Sequence, residues 1–272
     1  MVILMSDDTG KQFNFPPEVM AQWRGKKHFL EGENGILIIL IHGWTRPPRQ
    51  MLPLAKILNG FGYSVSLPLL SGHGSVPEDL EGVVWSDWVK DIRQEIEKQR
   101  RKKKYRKIIV GGSSLGGTIS LLVSLVMDVD GLILIGTPVH FKNHLSIKLS
   151  SLIMPFFKRY IKKRTPKNIK IDPSSGYQYM PTKNVREVLL AVRKSVFNLK
   201  KVKAPVIILQ NREDFFVAKY SPWIIYKNVS SEIKKIVWID SKSENHIPQD
   251  KENRLIAKAI NDFFKKIFVS KS

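Results

Sequence analysis

The chain of 272 residues contains no cysteine. This excludes disulfides, thiolate metal sites and a cysteine nucleophile together, and it suits a cytoplasmic protein. Long hydrophobic runs are lacking too: nothing approaches the roughly 18 to 20 consecutive apolar residues of a membrane span. The first residues, Met1-Val2-Ile3-Leu4-Met5, have no basic start and run straight into Ser6-Asp7-Asp8, so no signal peptide is expected. Carboxylates are scarce beside bases, 24 Asp and Glu against 45 Lys and Arg, which leaves a formal net charge of +21. The shortage is local. From Gly131 to Ala204 only Asp172 and Glu187 oppose 16 Lys and Arg, a net of +14, and no carboxylate stands between Asp130 and Asp172. Such an imbalance is either a solvated lysine-rich face or an electrostatic surface toward something anionic.

What is present reads as one large α/β domain, since a hydrophobic fraction of 43% is ample for a buried core. From about Lys27 onward, apolar strand-like runs alternate with amphipathic helical stretches, the pattern of a mostly parallel central sheet with helices on both faces. Ile36 to Ile41 is apolar at every position, as a strand buried on both faces must be. Further strands are expected at Tyr63 to Leu70, Lys107 to Val110, Leu132 to Ile135, Val206 to Leu209 and Ile236 to Ile239. Helices are expected at Pro48 to Asn59, Trp85 to Arg100, Thr118 to Met127 and Arg254 to Phe268. The alternation breaks once. About seventy residues separate the strands at Leu132 and Val206, far more than a crossover helix needs, and this stretch carries the charge.

The chain therefore divides into an N-terminal extension (1–26), a core (27–140 and 204–272) and a small, basic, helical cap insertion (141–203). Within the insertion Leu149, Leu152, Ile153, Phe156, Phe157, Tyr160 and Ile161 follow a helical stripe, interrupted by Pro155. A second cap helix is expected from Thr182 to Leu199, with Thr182 as its N-cap.

Gly112-Ser113-Ser114-Leu115-Gly116 matches G-x-S-x-G with Ser114 as the serine. The motif describes a strained turn from strand to helix, in which side chains two residues either side of the serine would collide with backbone. An apolar strand precedes it and a helix-compatible run follows, so Ser114 is the expected nucleophile of an α/β-hydrolase fold. A phosphate-binding loop is the competing reading of such glycines, but no lysine accompanies Gly117-Thr118.

A serine nucleophile needs a base oriented by an acid, and in this fold the chain order is Ser, acid, His. His246 lies past the last strand, in Ser243-Glu244-Asn245-His246-Ile247-Pro248, and is the expected base. Asp214, after the strand at Val206 to Leu209, is the preferred acid over Glu213 and Asp240. The oxyanion hole is expected from the backbone N–H groups of Leu115 and of Trp44 in His42-Gly43-Trp44. His42 itself reads as a structural hydrogen-bonding residue rather than a second base.

Taken together, these residues resemble the bacterial carboxylesterases and monoacylglycerol lipases of the α/β-hydrolase superfamily, from about His28 to the C-terminal helix. Phe29-Leu30-Glu31-Gly32 is similar to the family's lead-in to the sheet. His42-Gly43-Trp44-Thr45 resembles its HGFTG-type loop, with Arg46 where a glycine is common. Leu67-Pro68 through Gly72-His73-Gly74 and the pair Asp87-Trp88 are similar to further family motifs. So are Gly112 to Gly117, Ala204-Pro205 through Asp214, and Trp238 with Ser243 to His246, although Asn245 stands where glycine is usual.

The resemblance implies hydrolysis of carboxylic esters through an acyl-serine intermediate, with no cofactor or metal and a small-molecule acyl ester as partner. A thioesterase or lysophospholipase with the same triad, and a non-catalytic binding protein, are the alternatives. The run Arg100-Arg101-Lys102-Lys103-Lys104 reads as a solvated loop rather than a nucleic-acid site, because no nucleic-acid motif accompanies it. The basic cap, by contrast, has the composition of an element that lies on an anionic membrane surface, so a cytoplasmic enzyme peripheral to the membrane is expected. The cap is also expected to act as a lid whose role is separable from catalysis.

Overall fold

The computed structural model describes residues 5–6, 12–13, 24–140, 160–162, 176–177, 179–214, 216–240 and 250–269. Its strands, in chain order, are β1 (Met5–Ser6), β2 (Gln12–Phe13), β3 (His28–Leu30), β4 (Ile36–Ile41), β5 (Ser64–Leu67), β6 (Lys107–Ser113), β7 (Gly131–Ile135), β8 (Tyr160–Lys162), β9 (Tyr179–Pro181), β10 (Val206–Asn211) and β11 (Lys234–Ile239). The α-helices are α1 (Leu52–Gly60), α2 (Trp85–Arg101), α3 (Leu115–Val123), α4 (Thr182–Phe197), α5 (Ser221–Asn228) and α6 (Asp250–Val269).

Seven strands form one sheet in the order β11-β10-β7-β6-β4-β5-β3. All neighbours are parallel except β3, which runs antiparallel to β5 at the edge. The chain lays β5 on one side of β4 and β6 on the other. The order therefore reverses between β4 and β6, and loops leaving their carboxyl ends diverge to leave a crevice.

All six residues of β4 are buried, and they alternate between two cores. Ile36, Ile38 and Leu40 pack with Leu54 and Leu58 of α1 and with Ile256, Ile260 and Phe264 of α6. Leu37, Ile39 and Ile41 face Trp88, Ile92 and Ile96 of α2 and Leu115 and Ile119 of α3. Further along the sheet, Leu132, Leu134, Val206 and Ile208 pack against Ile225 of α5. Truncating a large side chain at the centre of such a layer costs about 2 to 5 kcal/mol, so the sheet is a stiff platform.

Several boundaries differ from the sequence expectation. The strand expected from Tyr63 ends at Leu67, because Pro68 has no N–H to continue a ladder. The helix expected from Pro48 begins as a 3-10 turn, Pro48–Met51, before α1. The helix after the serine starts at Leu115 and ends at Val123, not Met127. The helix α5, with Pro222 in its first turn where a missing N–H costs nothing, was not foreseen.

The insertion brings two corrections. Tyr160 and Ile161, placed on a helical stripe, belong to β8, which pairs antiparallel with β9. Periodicity within one segment cannot register a strand partner some twenty residues away, and that pairing overrides it. The other stripe residues, Leu149 to Phe157, lie outside the described residues. Thr182 is the first helical residue of α4 rather than its N-cap, because the extended residue ending β9 is Pro181.

Candidate functional site

Ser114 stands between β6 and α3 with φ 53° and ψ −111°, a region that non-glycine residues seldom occupy. Holding it there costs roughly 1 to 3 kcal/mol, which surrounding structure must supply. The Ser114 N–H donates to Ile135 O at 2.8 Å, tying the turn to β7. The two motif glycines allow the backbones to close around it. A Cβ on Gly112 would lie 2.3 Å from Ile41 O, and one on Gly116 would lie 2.2 Å from the same oxygen. Any side chain at either position would push the turn off β4.

The loop after β4 lies against this turn: a Cβ on Gly43 would sit 3.6 Å from Ser113 O, and one on Gly116 2.9 Å from His42 O. His42 is fully buried; its Nδ1 donates to Gly43 O at 2.9 Å and its Nε2 accepts from Leu70 N–H at 3.2 Å. Because the Leu70 amide can only donate, Nε2 must be unprotonated. Burial, only partly offset by the Gly43 carbonyl, lowers the His42 pKa to about 4. His42 is thus a neutral clamp between two loops, in keeping with the structural role expected for it.

A second histidine does similar work. His73, in the Gly-His-Gly turn, accepts from Thr45 N–H at 3.0 Å through Nε2 and contacts Ser71 O at 3.0 Å through Nδ1. Thr45 itself is held at φ 62°. Gly43 N–H donates to Gln50 Oε1 at 2.8 Å, and Arg46 N–H to Gly43 O at 3.2 Å. Every amide from Gly43 to Arg46 is therefore bonded except that of Trp44, which has no hydrogen-bond partner among the described residues. Leu115 is the first residue of α3, a position whose N–H has no intrahelical acceptor and lies at the positive end of the helix dipole.

The three candidate acids occupy different surroundings. Asp214 is 5% exposed. Its Oδ1 accepts from Phe216 N–H and Val217 N–H, each at 2.9 Å, and its Oδ2 accepts from Gln210 Nε2 at 2.9 Å. It lies beside the end of β7, where a Cβ on Gly136 would sit 3.4 Å from its Oδ2. Asp240 instead pairs with Arg212 at 2.8 Å on a side chain that is 80% exposed. Glu213 is exposed. His246 lies outside the described residues.

Sequence reasoning did not assign roles to His73, Tyr177 or Asn184. For His73 the flanking glycines were a usable signal. Tyr177 and Asn184 belong to the insertion and carry none. Tyr177 N–H donates to Thr45 O at 2.9 Å, and its hydroxyl accepts from Ser75 N–H at 2.9 Å and donates to Gly72 O at 3.2 Å. Burial raises the Tyr177 pKa, which keeps that donor in place. Among the described residues no group of three or more His, Asp or Glu could hold a metal ion.

The fold agrees with known proteins. The chain is 28% identical over 239 residues to a thermostable monoacylglycerol lipase of Bacillus sp., covering 86% of this chain and 92% of that one. It is 25% identical over 230 residues to a carboxylesterase of Bacillus subtilis, covering 85% and 92%. Among solved structures, one of the metagenome-derived lipolytic enzymes LipS and LipT superposes with a TM-score of 0.77 at 21% identity, covering 89% of this chain and 98% of that one. A soluble variant of monoglyceride lipase from Saccharomyces cerevisiae, in complex with a substrate analogue, superposes with a TM-score of 0.74 at 17% identity, covering 88% and 91%. The sheet order and these superpositions make the fold that of an α/β-hydrolase. The family profile described as Serine aminopeptidase, S33 matches residues 32–243, most of the chain, and the chain belongs to that family.

Proposed function

We propose that this protein is a carboxylic-ester hydrolase that works through an acyl-serine intermediate on Ser114. The observation that carries the reading is Ser114 in its strained turn at the N-terminus of α3, with the Trp44 amide in the loop after β4 left without a partner among the described residues. Ser114 Oγ attacks the ester carbonyl while His246 takes its proton. The N–H groups of Trp44 and Leu115 hold the charge that develops on the carbonyl oxygen. His246 then protonates the departing alcohol, and a water activated by the same residue releases the acid. Asp214 orients His246 and balances its transient positive charge. The buried carboxylate of Asp214, which accepts from Phe216, Val217 and Gln210, supports that choice over Asp240 and Glu213.

The substrate class is a small acyl ester, with monoacylglycerols in its range, as the names of the two Bacillus relatives suggest. The reading extends to a cytoplasmic enzyme that docks on anionic membrane, supported by the net charge of +14 between Gly131 and Ala204. No helix among the described residues is long and apolar enough to cross a membrane.

Hydrolysis of p-nitrophenyl butyrate tests the central claim. Ser114→Ala is expected to lower kcat by on the order of 10⁴- to 10⁶-fold with the fold retained. A fluorophosphonate is expected to label Ser114 and not Ser113. Labelling that persists in Ser114→Ala would refute the assignment.

A further inference from the structure

The loop after β4 is fastened from two directions. The core holds its ends through Gln50 and His73. The insertion holds its middle. Trp44 Nε1–H donates to Asn184 Oδ1 at 2.7 Å, a bond that spans 140 residues of sequence. Asn184, on the first turn of α4, is 2% exposed. Its Nδ2 donates to Leu80 O at 3.2 Å and to Val83 O at 3.1 Å. This leaves the amide no freedom to flip: turned over, Oδ1 would face two carbonyls and Nδ2 would face the indole N–H. One turn further along α4, Glu187 Oε2 accepts from Trp85 N–H at 3.2 Å, latching the helix to the same segment. Tyr177 adds the bond to Thr45 O and lies near-parallel to the His73 ring, 14° between planes.

An indole is rigid beyond two torsions, so anchoring its Nε1 restricts the directions from which the Trp44 backbone can leave. The amide that matters is that of Trp44, which alone from Gly43 to Arg46 has no partner among the described residues. We propose that Asn184 is a positioning residue: it acts through the Trp44 indole to aim the Trp44 N–H at the substrate oxygen. This inference rests on the ester-hydrolase reading and its oxyanion hole. On this account the insertion is no separable lid, since part of it sets the geometry of the chemistry. A competing account makes Asn184 a fastener for the cap and nothing more. The two differ in what they do to turnover: a loosened cap disturbs substrate binding, whereas a misaimed donor weakens only the transition state.

The test compares wild type, Asn184→Leu, Trp44→Phe and the double variant on p-nitrophenyl butyrate. Leucine keeps the volume without the hydrogen bonds, and phenylalanine keeps the ring and the backbone N–H without the indole donor. Loss of one oxyanion donor costs two to three orders of magnitude, so misaiming it is expected to lower kcat about tenfold in each single variant. KM is expected to stay within about twofold. The double variant is expected to be no slower than either single one, because both remove the same contact.

An Asn184→Leu protein that folds and keeps wild-type kcat overturns the inference, as does an effect confined to KM or a double variant that multiplies the two losses. If Asn184→Leu does not fold, Trp44→Phe decides, because it leaves the insertion intact; wild-type kcat there overturns the inference. A wild type that neither hydrolyses esters nor reacts with the phosphonate overturns the functional reading first, a result distinct from an active wild type indifferent to Asn184.

Discussion

Lowering the pH should loosen this protein through His42, and by a calculable amount. The ring is fully buried, with Nδ1 donating to Gly43 O and Nε2 accepting from Leu70 N–H, so only the neutral form fits. Folding lowers its pKa from 6.5 to about 4. Above 6.5 both folded and unfolded chains carry the neutral ring, and the clamp contributes fully. Between 6.5 and about 4 the unfolded chain takes up a proton that the folded one refuses, which favours unfolding; below about 4 the loss levels off.

At 1.36 kcal/mol per unit, the full loss is about 3 kcal/mol, of which about 2 kcal/mol is already gone near pH 5. That is a large part of the margin of a typical domain. Urea denaturation of wild type and His42→Gln at about pH 7 and about pH 5 isolates the effect from other titrating groups. The variant is expected to be weaker near pH 7 by about 1 to 3 kcal/mol, because a buried backbone group loses its partner. It is also expected to lose about 2 kcal/mol less than wild type on acidification. Parallel losses in the two proteins would refute the account of His42 as a buried neutral clamp.

Two further outcomes are expected. Asp214→Asn should lower kcat by on the order of 10³- to 10⁴-fold, whereas Asp240→Asn, which removes only an exposed ion pair, should change it by less than about twofold; the reverse pattern would reassign the acid. Co-sedimentation should show more protein on anionic than on zwitterionic vesicles, with the difference shrinking at moderate salt, since each basic residue near such a surface adds roughly 1 kcal/mol before screening. Equal, negligible binding to both would leave the cationic insertion as a solvated face.

Much of this molecule is legible in its sequence because the determining forces are local. Six consecutive apolar residues, Ile36 to Ile41, state that both faces of a strand are covered, and alternate residues do enter two cores. Gly112 and Gly116 mark the serine turn because a Cβ at either would strike Ile41 O. Pro68 carries such a signal too, since it ends β5 for want of an N–H, although the strand was expected to run on to Leu70. Such rules act over a few residues and survive without knowledge of what packs alongside.

Burial and long-range pairing were decided only in three dimensions. Asp214, Glu213 and Asp240 look alike as carboxylates after strands, yet Asp214 is enclosed and accepts from Gln210 and two backbone amides while Asp240 is held at the surface by Arg212. Tyr160 and Ile161 follow a helical period but form a strand, because their partner lies at Tyr179 to Pro181. The sequence reads His42 as a structural residue and flanks His73 with glycines, but the amides they accept from, 28 residues away, are set only by the fold. Asn184 meets Trp44 only because a helix of the insertion docks over the loop after β4. Asp214 is held by neighbours in the chain, but for Tyr160, the two histidines and Asn184 the deciding contact is a hydrogen bond between distant segments, formed only once the sheet and its helices have closed around it.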